Sequence, residues 1–406
     1  MDFGIKQSVF LKAIQKGASA ALSDEASSDI GFTATLSQSI LIVVNENFSI
    51  HSSTHLMSVK RSLVAEESNG IKVDKHGSIL VNAKDILQWV SAQNSSAVIR
   101  ITLEKLEEPE QLADSDDGLK KIGTLKLSAE DKNKIISSWE IDGHDPDAFK
   151  ETDFEKDTKH KFDIQCEELT DSFKRVSYVC EKDFDNQYNN VAFQVFDDAL
   201  HLMTMSNKRM STFKVGQAAI VDKFSVILIN NKILEKIIKI SDKGNNLEFH
   251  LADNGKMIVR QAGLDVRVVI PDEATHQGFY TLEHISKFPF EELTEIGKDT
   301  FNTLSCNVAI LNKTSAIFNF DAEKNELTVK SVSTKHRPTT CKAELDTISK
   351  SQVSQWNPDH IKQGMKPVKS ETLHLYVYRN GALRIQGETD PNYWCMVQAQ
   401  NMNAGK

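Results

Sequence analysis

Cysteine is scarce: five in 406 residues, scattered at Cys166, Cys180, Cys306, Cys341 and Cys395. Their odd number and the lack of any C-x-x-C pair argue against a disulfide framework and against a zinc site, so they read as reduced structural thiols. No apolar run approaches the roughly 20 residues that cross a bilayer. The opening Met1-Asp2-Phe3-Gly4-Ile5-Lys6 lacks the basic-then-apolar order of an export signal. A cytoplasmic location without membrane contact is the expectation. Nucleophile elbow, P-loop, H-E-x-x-H and dinucleotide fingerprints are missing as well. The twelve histidines are dispersed, and a pair such as His51 and His55 has no third ligand beside it. The acidic piece Asp114-Ser115-Asp116-Asp117-Gly118 lacks the spacing and the later glutamate of a calcium loop. No metal, no cofactor and no catalytic residue is expected.

What is present is an ordinary globular composition, 40% hydrophobic and 26% charged, long enough for about three domains. The net charge of −9 would by itself argue against nucleic acid, which needs cations where it binds. The position of the lysines therefore matters more than their number.

A repeat runs through the chain. Phe3-Gly4-Ile5 precedes Val9, Phe10, Ala13 and Ile14, which share one helical face. Phe162-Asp163-Ile164 precedes Leu169, Phe173 and Val176, and Phe290 to Leu293 precedes Phe301, Leu304, Val308 and Leu311. Second halves echo the first: Ile79 to Leu87 matches Ile227 to Leu234, with Asn82 and Asn230 where helix caps belong. Asn254-Gly255 and Asn380-Gly381 are hairpin turns between alternating strands. Six copies of a helix-plus-sheet unit predict an α+β fold of three repeated domains, each with two helices packed on antiparallel sheets. A tandem array of unrelated α+β domains is the alternative. The domains are expected at 1–145, 160–275 and 288–402. An acidic insertion near 104–118 and a polar linker from Asp142 to Lys161 interrupt them. Pro358 is expected to split or shorten the sixth helix, placed within Ser351 to Ile361.

In this order and spacing the chain resembles the bacterial DNA polymerase III beta subunit, the sliding clamp family, as a divergent member. The resemblance is carried by Phe162-Asp163-Ile164, the helix from Glu167, Tyr188-Asn189-Asn190-Val191-Ala192-Phe193, and Leu202 to Met210. Val226-Ile227-Leu228 with Lys232 and Ile233, Val308 to Asn312, and the closing Tyr393-Trp394-Cys395-Met396-Val397-Gln398 complete it. Where the family usually reads A-T-D-G-H-R-L, this chain has Thr204-Met205-Ser206-Asn207-Lys208-Arg209-Met210, keeping the arginine and an apolar end. The family's M-P-M-[RK]-L ending is replaced by Met396 to Met402 and a polar tail.

The resemblance implies a non-enzymatic ring. Crescent chains close head to tail as a homodimer around duplex DNA, without regard to its sequence, and tether DNA polymerase, clamp loader and repair proteins. Acidic character outside and lysines inside suit that task. The channel residues it implies are Lys12, Lys16, Lys174, Arg175, Gln187, Lys232, Lys236 and Lys239. A solvated amphipathic helix would explain any one of these stripes, whereas recurrence over several repeats points to a shared face. The implied peptide groove is walled by Tyr188, Met205, Asn207, Arg209, Met210, Met396, Val397, Gln398 and Ala399, although the methionines would equally serve as core. Ring closure would use Leu125, Leu127, Ile310 and Leu311, which also read as ordinary core residues. A clamp-fold adaptor or decoy that binds replication proteins without closing a ring is the alternative function.

Overall fold

The apolar periods of the sequence become helices whose ends are fixed by local chemistry. In the computed structural model these are α1 (Gln7–Gly17), α2 (Ala34–Ser37), α3 (Ala83–Ser91), α4 (Cys166–Val176), α5 (Asn231–Ile240), α6 (Leu282–Ser286), α7 (Lys298–Ala309) and α8 (Pro358–Met365). The structure describes residues 1–22, 34–111, 120–131, 134–150, 152, 154, 158–181, 188–252, 255–270, 279–332 and 338–400. The Asn82 side chain accepts from the Lys84 and Asp85 amides at 3.0 and 3.1 Å, capping α3. Asn230 does the same for α5 through the Lys232 amide. Pro358 corrects the reading of the sixth helix. It starts α8 rather than interrupting it, because a first-turn proline needs no amide partner and Asn357 caps the turn. The residues before it, Gln352–Trp356, form a strand.

The chain divides into two compact units, Met1–Cys166 with Glu235–Ile270, and Glu167–Leu234 with Pro271–Lys406. The stretch expected as a middle domain is shared between them. In the first unit one antiparallel sheet runs through the strands 158–165, 246–252, 256–261, 264–269, 57–64, 47–53, 39–44, 77–82, 134–144, 120–131, 98–111, 2–6 and 71–75 in that order. α1 and α3 pack together on it over Phe3, Phe10, Ile14, Phe48, Ile50, Ile86 and Val90, all fully buried. Gly17 is needed there, since a Cβ would come within 2.9 Å of Ile50. The acidic insertion is in part corrected too. Residues up to Gln111 continue the strand Val98–Gln111 and pair with Lys120–Asp131, while 112–119 lie outside the described residues. Within the expected linker, Asp145 caps a short turn and Phe149 is buried against Leu41 and Leu80.

The second unit holds an eight-stranded antiparallel sheet, in the order 226–230, 190–196, 199–205, 209–214, 390–397, 383–387, 372–377 and 291–297. A four-stranded sheet orders 340–344, 326–331, 316–321 and 352–356. α7 and α8 pack on each other, and α7 rests on the strands 326–331 and 340–344. At the hairpin predicted by Asn380-Gly381, Gly381 takes a φ of 83° and its carbonyl accepts from the buried Trp356 indole at 2.8 Å. The α+β reading of helices on antiparallel sheets therefore holds.

Candidate functional site

Two strands far apart in sequence build one cavity of the second unit. Arg209–Lys214 pairs with Asp390–Val397 so that Met210 lies opposite Met396. Around this pair opens a cavity of about 540 Å³ lined by Tyr188, Met205, Asn207, Lys208, Arg209, Met210, Met396 and Gln398. Ser206, Tyr280, Phe288, Tyr378, Asn380 and Ala382 complete the wall. Seven of the nine groove residues expected from sequence thus converge. Val397 and Ala399 do not, and their assignment is corrected. Val397 is 1% exposed because successive strand residues face opposite sides, and Ala399 lies against Gly381 outside the lining.

The methionines serve both as core and as wall. Met203, Met205 and Met210 are buried with Ala192, Leu228, Phe279, Leu282 and Ile285, but only Met205 and Met210 reach the cavity. α6 is tied to the sheet by Gln194, which accepts from the Leu282 amide at 2.8 Å and donates to the Tyr280 carbonyl at 3.4 Å. A ladder of rings follows along the rim. Tyr280 stacks on His284 at 5.5 Å, His284 meets Phe288 edge-on at 5.2 Å, and Phe288 stacks on Tyr378 at 5.1 Å. Sequence reasoning missed this wall, although the Asn380-Gly381 hairpin beside it was visible as a turn signal. At the other rim Arg209 hydrogen-bonds Gln363 of α8 and lies over the Tyr178 ring at 5.8 Å. Burial, together with the charges of Arg209 and Lys208, pushes the pKa of His360 down to about 4.

The cations proposed for a channel fare differently from one another. Lys12, Lys174, Lys232 and Lys239 are exposed and Lys236 is half-buried; Gln187 lies outside the described residues. Arg175 is a correction. It is 6% exposed, bonded to Asp390 through both carboxylate oxygens and to Asp171, with the Phe213 ring 4.6 Å away, so it faces protein rather than solvent. Lys16 is paired with Asp242 and Lys239 with Glu235, which offsets two of the expected positive charges. Further lysines that the sequence reading overlooked surround a cleft of about 760 Å³ between α7 and α8: Lys298, Lys313, Lys362 and Lys366. Lys362 and Lys366 stand one turn apart, a signal hidden by the assumption that Pro358 breaks the helix.

Of the residues expected at a ring interface, Ile310 is 77% exposed just past α7, and Leu311 is half-buried. Leu125 and Leu127 are corrected: both are buried in the first unit, on a strand bonded on both sides to Val98–Gln111 and Lys134–His144. A strand with both edges occupied cannot take another. Among the described residues one cluster could hold a metal: Glu292, Glu295 and His374 bring their ligand atoms within 4.8 Å of one another. A hydrogen bond between His374 Nδ1 and Glu292 at 2.9 Å, with Glu295 at 3.4 Å, already accounts for that proximity.

By sequence, no protein family matches the chain and no curated protein does. By structure, it is similar to a DNA polymerase sliding clamp from Pseudomonas aeruginosa with ligand, at 13% identity over 99% of this chain and 100% of that one, with a TM-score of 0.78. The beta subunit from DNA polymerase of Streptococcus pyogenes is similar at 13% identity over 98% and 100%, with a TM-score of 0.73. Caulobacter crescentus pol III beta is similar at 11% identity over 98% and 100%, with a TM-score of 0.77. At such identity the likeness is one of fold, and the fold of this chain, end to end, is that of the bacterial DNA polymerase III beta sliding clamps.

Proposed function

We propose that the protein is a sliding clamp, a cytoplasmic, non-enzymatic processivity factor of three clamp domains, 1–145, 160–275 and 288–402. Two copies close head to tail around duplex DNA, and the Met210/Met396 cavity receives short peptides of DNA polymerase, clamp loader and repair proteins. The observation that carries the reading is the extent of the clamp likeness: 99% of this chain matches 100% of the Pseudomonas aeruginosa clamp. Lys12, Lys174, Lys232, Lys236 and the cleft lysines Lys298, Lys313, Lys362 and Lys366 supply the sequence-independent attraction to phosphate.

For closure the reading uses strand edges that have room for a partner. Among the described residues, Lys134–His144 is bonded along one side to Lys120–Asp131 and on the other only where His144 meets Leu80. It exposes Ile135 and Ile136, 66% and 56%. Among the described residues Thr340–Glu344 pairs only with Glu326–Ser331, beside α7, which the exposed Ile310 follows. Apolar groups beside an open edge invite another chain. A second reading, the adaptor that never closes a ring, is favoured by one observation: Lys16, Arg175 and Lys239 are each neutralised by a carboxylate.

The test is the solution mass by light scattering at micromolar concentration, for wild type and for Ile310→Asp with Leu311→Asp. A dimer that the variant splits into folded monomers, followed by retention of the wild type on circular but not linear DNA, supports the clamp. A monomeric wild type leaves the adaptor.

A further inference from the structure

One row of side chains crosses the eight-stranded sheet from the cavity outward. Met210 is opposite Met396, Met396 opposite Arg384, Arg384 opposite Tyr376 and Tyr376 opposite Glu292. Directly opposite residues of antiparallel strands share a face, so Arg384 is the next group reached after Met396. Its guanidinium lies 4.9 Å from the ring of Trp394, 5.3 Å from Tyr376 and 6.0 Å from Phe290. Phe290 in turn packs on Tyr378, a wall of the cavity, at 5.7 Å.

This cation lacks the partner that such a place demands. Nη2 donates to the neutral amide of Gln386 at 2.7 Å, and among the described residues the buried Nε–H has no acceptor. Among the described residues no carboxylate pairs with it, and Glu292, at the far end of the row, lies 2.9 Å from His374 Nδ1. A guanidinium withdrawn from water without a counter-charge is costly, and burial lowers its pKa accordingly. Among the described residues the cavity lining has the same bias: it includes Lys208 and Arg209 and no aspartate or glutamate. Stacked on aromatic faces, a guanidinium keeps its edge for a planar anion.

We infer that Arg384 is the carboxylate receptor of the groove, so that the peptide taken there carries an acidic group close to its apolar anchor. The inference rests on the peptide-groove reading above. Arg384 stands two strands from Met210, about 10 Å at the usual strand spacing, and an extended peptide covers ~3.3 Å per residue. The acidic group therefore falls about three residues from the residue seated over Met210.

The test uses fluorescence anisotropy with three labelled ten-residue peptides that share a Leu-Phe anchor. One carries Glu three residues before the anchor, and one carries Gln there; both are amidated at the C terminus. The third carries Gln and ends three residues after the anchor in a free carboxylate. Wild type should bind the Glu peptide, or the free-acid peptide if a chain end is the source, about tenfold more tightly than the amidated Gln peptide. Arg384→Met, with an unchanged melting profile, should lose that preference while keeping the affinity for the Gln peptide, and Arg384→Lys should recover part of it. Three peptides bound equally by wild type, or a preference that survives in Arg384→Met, would overturn the carboxylate receptor and leave the groove standing. No binding of any peptide would overturn the groove reading and this inference with it.

Discussion

Arg175 Nη1 donates to both carboxylate oxygens of Asp390, at 3.1 and 2.9 Å, with the two side chains 7% and 10% exposed. Asp390 also accepts from the Lys369 amide at 2.9 Å, so the carboxylate is held from two sides. Removing one partner of such a pair strands a buried charge, which typically costs about 3–5 kcal/mol. Arg175→Met should therefore lower the melting temperature sharply, and Asp390→Leu added to it should recover part of the loss. DNA retention per folded molecule should not change. A variant that melts like wild type yet binds DNA less well would return Arg175 to the channel.

Much of the fold was legible because local chemistry and global position agreed. Asn82 and Asn230 are caps by residue type and by structure, and the Asn380-Gly381 turn needs the positive φ that glycine supplies. Pro358 was misread because one residue type has two uses, breaking a helix inside it and opening one at its start. Periodicity placed Arg175 on a helix but could not reveal Asp390, 215 residues away, so a buried ion pair looked like an exposed stripe. Lys16 failed similarly, since Asp242 is brought to it only by tertiary packing. At the cavity, Met210 and Met396 were found through resemblance, whereas Tyr280, Phe288 and Tyr378 are brought to its wall by tertiary packing and Arg384 is set beside Met396 by strand register.

The α7–α8 cleft sets up a comparison among lysines. Lys362 and Lys366 are exposed one turn apart, whereas Lys16 is paired with Asp242. Lys362→Gln with Lys366→Gln should shorten retention on circular DNA and reduce the slope of log affinity against log salt by up to about 2, roughly 0.9 per phosphate contact. Lys16→Gln should leave both nearly unchanged. Equal effects of the two variants on the salt slope would mean that Asp242 does not neutralise Lys16.

Tyr378 joins the cavity wall to the ring ladder, stacked on Phe288 and tilted against Phe290. Truncating a central aromatic anchor usually costs a binding groove more than about 1 kcal/mol. Tyr378→Ala should accordingly weaken binding of the Leu-Phe peptides at least about fivefold, with solution mass unchanged. Unaltered affinity would move the peptide site away from this cavity.

His51, His201 and His360 make stability depend on pH. Burial is the main cause for all three and pushes each down to about 4, helped by Lys60 at His51, Lys214 at His201, and Arg209 and Lys208 at His360. An unfolded histidine titrates near 6.5, so between about pH 6.5 and 4 the unfolded chain binds more protons than the folded one. The stabilisation is fully present above about pH 6.5 and is lost as pH falls toward 4, a window that lies largely above ordinary carboxylate titration. His51 is the sharpest test, being 5% exposed with Nε2 at 2.9 Å from the Ser49 hydroxyl. The melting temperature of wild type should drop between pH 7 and pH 4.5, and His51→Gln, which has no proton to gain, should drop less. Parallel curves for the two proteins would mean that His51 is protonated as readily in the fold as in the unfolded chain, contrary to its burial beside Lys60.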